Sequence, residues 1–174
     1  MESKLKTTIA LYGEINVKGD ELWGWYQTAL KMNEDFGFPS THLGVIGEVF
    51  KSGKLTTLKR TEQKLKKSLS EGDELEIISV YSLPKEFTQA AFDYNTFICI
   101  NKSQDNQFVA ISIPSENYLS INVNEIIRTL GVFIKCDNVE IFELSALESP
   151  FIYASRVNPA SDFKSLKIIE KMKF

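Results

Sequence analysis

The chain reads as one α+β domain, residues 1–174, with a mostly antiparallel sheet and helices packed mainly on one of its faces. Three observations carry that reading. The length suits a single domain of roughly 100–200 residues, large enough for a core without disulfide or metal staples. Residues AVILMFWYC make up 43% of the chain and DEKR 25%, the balance of an ordinary globular protein. Strand-like and helix-like segments alternate along the first half in the order of a split β-α-β unit, the ferredoxin-like arrangement.

The elements follow in chain order. Thr7 to Tyr12 is rich in β-branched and apolar residues and is closed by Gly13, so a strand is expected there. Residues 13–20 are polar with glycines at either end, a loop. Asp20 is a candidate N-cap for the segment 21–36, and Gly37 stands where a left-handed residue would stop it. Leu22, Tyr26, Ala29, Leu30 and Phe36 gather on one side of that helix, and Gln27, Lys31, Glu34 and Asp35 on the other.

His42 to Phe50 alternates weakly and reads as a half-buried strand, followed by a Ser52-Gly53 turn. Lys54 to Leu58 suits either a return strand or a helix entry. From Thr57 to Ser70, Leu58, Leu65 and Leu69 form a narrow helical stripe. A strand is expected from Glu74 to Leu83, ended by Pro84. Residues 85–93 have no clear pattern. Two apolar runs, 97–100 and 108–113, flank a polar turn and read as an antiparallel hairpin. Asn122 with Glu125 three residues on resembles a capping box, with Ile121 and Ile126 as a hydrophobic staple. Val139 to Leu147 reads as a strand and Ser161 to Lys173 as a C-terminal helix.

The chemistry is mostly one of exclusion. His42 is the only histidine, and Cys99 and Cys136 are the only cysteines, without the short spacing of zinc ligands. No Gly-x-Ser-x-Gly elbow, Gly-x-x-x-x-Gly-Lys loop or Gly-x-Gly-x-x-Gly turn occurs. Gly44 and Gly47 mimic a GxxG clamp, but they lie in an apolar strand where close strand packing explains them. Glu74 with Glu76, and Glu140 with Glu143, are read as solvated glutamates. No catalytic residue, metal site or cofactor is expected, and the balance favours a non-enzyme. The N-terminus is polar, no apolar run is long enough to span a bilayer, and two cysteines make no disulfide framework. A soluble, cytoplasmic protein is the expectation.

Two features rise above that background. Between Lys51 and Lys67 there are seven basic residues and one acidic, 7 − 1 = +6, which leaves −3 − 6 = −9 for the rest. Within it Lys59, Arg60, Lys64 and Lys67 are candidate partner-binding residues. Trp23 and Trp25 fall at opposite edges of the apolar arc of the first helix, where an aromatic residue beside a groove can anchor a partner. Together these point to a protein-binding module, most concretely an immunity-type inhibitor that neutralises a toxin or enzyme by stoichiometric surface binding. The alternative is a nucleotide- or nucleic-acid-handling domain gripping phosphates with residues 51–67, with Glu74 and Glu76 holding magnesium. No aromatic residue is interleaved with the lysines of 51–67, and the acidic remainder would repel a long polyanion, so the protein partner is favoured.

Overall fold

A computed structural model describes residues 4–86 and 92–174. Its centre is one eight-stranded sheet in the order β3-β2-β4-β5-β6-β1-β7-β8, with every neighbouring pair antiparallel. The strands are β1 (Leu5–Glu14), β2 (His42–Gly47), β3 (Thr56–Thr57), β4 (Leu75–Ser82), β5 (Thr96–Asn101), β6 (Phe108–Pro114), β7 (Lys135–Ser145) and β8 (Lys167–Lys173). The helices are α1 (Asp20–Asp35), α2 (Leu58–Ser70), α3 (Ser115–Tyr118), α4 (Val123–Gly131) and α5 (Pro150–Ser155). Of the unassigned stretch 85–93, residues 87–91 lie outside the described residues.

Side-chain alternation along the strands divides the core into two layers. Ile9 and Leu11 of β1 face a large cluster, with Leu22, Trp25 and Tyr26 from α1, Leu65 and Leu69 from α2, and Ile126 and Leu130 from α4. Ala10 and Tyr12 face a smaller cluster roofed by Ala154 of α5 and by Phe163. The helices therefore lie mainly on one face, as expected. Because both faces of β1 are covered, its residues from Lys6 to Tyr12 are buried without interruption, and Ile9 to Tyr12 read as a continuous apolar run.

Three expectations are corrected. The split β-α-β order is not formed, because β4, β5 and β6 all lie between β2 and β1. Residues 167–173 form the edge strand β8 paired with β7, where the sequence suggested a helix. At the start of α1 the N-cap is Gly19, at φ 58°, and no side chain caps the helix; Asp20 is its first residue and supplies charge to the first turn.

Other local signals hold. Gly37, at φ 84°, follows α1 where a left-handed residue was expected. Asn122 caps α4 by accepting from the Glu125 N–H at 3.2 Å. A Cβ on Gly47 would sit 2.7 Å from the Glu74 carbonyl oxygen, so close packing against β4 excludes a side chain there. Among the described residues, no helix is long and apolar enough to cross a membrane.

Candidate protein-binding surface on the first two helices

The local chemistry of α2 explains why its charge faces outward. Leu65 and Leu69, four residues apart, are buried at 0% and 3% exposure and fix one side of the helix to the core. Lys59, Arg60, Lys64, Lys66 and Lys67 are then left on the exposed remainder. The one carboxylate in the segment does not neutralise them. Glu62 points toward α1, where Oε2 accepts a hydrogen bond from the Tyr26 hydroxyl at 2.7 Å. Burial, and then that hydrogen bond, push the Tyr26 pKa far above the ordinary tyrosine value.

Among the described residues, Lys67 is the only cation of this segment in an ion pair, at 3.9 Å from Glu71. Lys64 extends over the Phe50 ring, its Nζ 4.6 Å from the centroid. Lys66 reaches the Trp23 ring at 5.7 Å, and Trp23 lies tilted against Tyr26 with ring centroids 5.0 Å apart. In these contacts the ammonium group itself sits over the ring face, and both lysines remain exposed to water. The surface is a row of solvated positive charges with a half-buried tryptophan at its border.

The candidate residues separate accordingly. Lys59, Arg60, Lys64 and Lys67 are all exposed on α2, and half-buried Trp23 of α1 meets that helix through Lys66. Trp25 does not serve as the exposed anchor expected of a partner-binding residue: it is fully buried and packs in the core. Its indole Nε1 has no hydrogen-bond partner among the described residues. The buried arc of α1 extends through Trp25 and Met32 on that flank, while α2 meets the opposite flank at Trp23 and Tyr26.

The remaining chemistry-bearing residues stay dispersed. Cys99 is fully buried in β5, and burial pushes its thiol pKa well above the ordinary cysteine value. Cys136 lies on β7, its thiol also raised by burial. His42 is on β2, two strands from β5, with Nδ1 2.9 Å from the Thr41 hydroxyl oxygen. Glu74 and Glu76 are exposed beside Lys51, Lys102 and Asp105 in a shallow cleft. Among the described residues no three His, Cys, Asp or Glu side chains converge as a metal would require.

Sequence reasoning missed one polar site. Glu140, expected to be solvated, is buried on the α5 face of β7 at 6% exposure. Its Oε1 accepts from the Tyr153 hydroxyl, and its Oε2 lies 3.9 Å from Lys171 of β8. Burial and the Glu140 hydrogen bond raise the Tyr153 pKa strongly. A glutamate between valine and isoleucine in a strand was the available signal.

The fold defines the class: an α+β protein with one antiparallel sheet, a thick helical face and a thin second face. Compared with protein-family models, curated proteins and solved structures, the chain gives no match.

Proposed function

We propose that this is a non-catalytic binding protein whose α2 surface docks on an acidic protein partner, as an immunity-type inhibitor covers a toxin or enzyme. One observation carries the reading. The exposed face of α2 holds Lys59, Arg60, Lys64 and Lys66 with no ion pair among the described residues, because Glu62 is turned to Tyr26. Unpaired cations of one sign create a positive field that steers an acidic surface into encounter. Trp23 at the border supplies an aromatic anchor that loses further water on docking. The compartment that suits this reading is the cytoplasm, where the free Cys99 and Cys136 stay reduced.

The test is co-purification from the source cells with the wild-type chain and with two variants, Lys59→Glu/Arg60→Glu/Lys64→Glu and Trp23→Ala. A protein recovered at one-to-one stoichiometry by the wild type and lost by the triple variant is the expected result. Its association rate should fall steeply as salt rises. If no protein distinguishes wild type from triple variant, the proposal fails. A nuclease-sensitive nucleic acid lost by the triple variant would replace it with the second reading, phosphate binding by the same cations.

A further inference from the structure

At the other end of the sheet, β8 ends the strand order, and among the described residues no strand pairs with its outer side. Its backbone N–H and C=O groups on that side are a template for one more strand. We propose that β8 accepts an extended segment of a partner protein in which acidic and apolar residues alternate, added antiparallel as a ninth strand. This surface is separate from the α2 surface and does not rest on it.

The two faces of β8 set that alternation. Lys171 and Lys173 pair across the ladder with Glu140 and Asn138, which puts both on the α5 face. Lys171 lies 3.9 Å from Glu140, and Lys173 has no ion pair among the described residues. On the helical face the edge borders a cleft of about 630 Å³ formed in part by Tyr118, Leu119 and Ile169. Leu119 is 87% exposed and Ile169 39%, apolar surface of a kind that a partner side chain covers. Ile169 is the extra residue of a β-bulge, since Ile141 pairs with Glu170 and Phe142 with Ile168. Glu116 and Glu143 line the same cleft and Glu170 lies on the same face, against the single cation Lys167, so the balance there disfavours an acid. Acidic residues of an added strand are thus drawn to the α5 face and apolar ones to the helical face, the period of two that a strand imposes.

The same charges disfavour a second copy of this chain. Antiparallel self-pairing centred on Glu170 opposes that residue to itself, and pairing centred on Lys171 does likewise. Like charges directly opposite are destabilising in a ladder, so the lysines select against self-association while favouring an acidic strand.

A short capped peptide of alternating glutamate and valine is the probe, titrated into the full chain and followed by backbone amide NMR. Shifts should concentrate in β8 and near Leu119, with slowed hydrogen exchange along β8. Lys171→Gln/Lys173→Gln should weaken binding roughly tenfold, as expected for losing two cross-strand charge pairs. The same peptide N-methylated at alternate amides should not bind, a control that leaves the protein unaltered. The α2 triple variant should bind the peptide like the wild type, which keeps failure here distinct from failure of the α2 proposal. The inference is overturned if β8 amides do not shift, if the N-methylated peptide binds equally well, or if only the α2 variant loses binding. Concentration-dependent self-association through β8 without peptide would overturn it as well.

Discussion

The two ends of the sheet carry segments of similar composition that fold differently. Residues 58–70, LKRTEQKLKKSLS, form α2 beside β2 and β3; residues 167–173, KIIEKMK, form β8 beside β7. Each mixes lysines with a few large apolar residues, and local propensity alone would make both helices. What separates them is what each must cover. In α2, Leu65 and Leu69 meet a core that accepts a helical stripe. At the other end, β7 presents Val139, Ile141 and Phe142, buried at 1%, 0% and 0%, together with a backbone edge that only a strand can pair. Tertiary demand decides where propensity is indifferent. A Tyr–Glu hydrogen bond then ties each end inward: Tyr26 to Glu62 beside α2, and Tyr153 to Glu140 beside β8.

The largest effect that tests this contrast is the loss of the α2 stripe. Leu65→Ala removes a fully buried side chain and should cost about 2–5 kcal/mol, measured by urea unfolding. Ile168→Ala in β8, where the side chain is 39% exposed, should cost well under half as much. Equal losses would mean that β8 is held by side-chain burial rather than by backbone pairing.

A middle-sized effect is expected from Glu140→Ala, which leaves the Tyr153 hydroxyl in a part-buried setting without its acceptor. A cost of about 1–3 kcal/mol is expected. Hydrogen exchange should speed up in β8 and α5 before it does so in α2. Uniform loss across the chain would show that the two ends unfold as one unit.

This contrast also explains what the sequence could show. A helix pinned by a buried stripe advertises itself, so α2 was legible to within a residue, as were the Asn122 cap and the hairpin of β5 and β6. Edge strand β8 is exposed on both faces and interrupted by the bulge at Ile169, so nothing imposes a period of two on it. Leu166, Ile169 and Met172 instead recur every third residue and imitate a helix. Strand order was hidden for another reason. Pairing β1 with β6 and β7 depends on contacts some hundred residues apart, which no local pattern records. At the candidate surface the cations were legible from composition, whereas the turn of Glu62 toward Tyr26 and the burial of Trp25 depend on how α1 and α2 pack.

Alkaline pH probes both tyrosine ties at once. Tyr26 and Tyr153 have raised pKa values in the folded protein, chiefly through burial and then through their carboxylate partners. For a group raised on folding, the stabilisation is complete below the unfolded value of about 10 and is lost as pH climbs toward the folded value. Stability should therefore fall as pH rises beyond about 10. Tyr26→Phe and Tyr153→Phe should each flatten that slope, measured as unfolding midpoints against pH. A slope unchanged in both variants would place the alkaline sensitivity elsewhere, with partly buried Tyr81, whose pKa is also raised, the next group to examine.

The smallest expected effect on stability belongs to the residues proposed to bind. Lys59, Arg60 and Lys64 are exposed and have no ion pair among the described residues, so reversing them breaks no favourable contact beyond the Lys64–Phe50 stacking. Each change should shift stability by no more than about 0.5 kcal/mol. Removing mutual repulsion on one helix face should leave the triple variant slightly more stable at low salt, with the difference vanishing as salt screens it. Thermal unfolding at low and high salt measures this directly. A large destabilisation would mean that the cations hold the fold together, and their lack of ion-pair partners would then be no argument for a binding surface. A neutral result, with β8 still paired and α2 still helical by circular dichroism and hydrogen exchange, leaves a row of like charges that the fold does not need. That is the outcome the proposed docking surface requires.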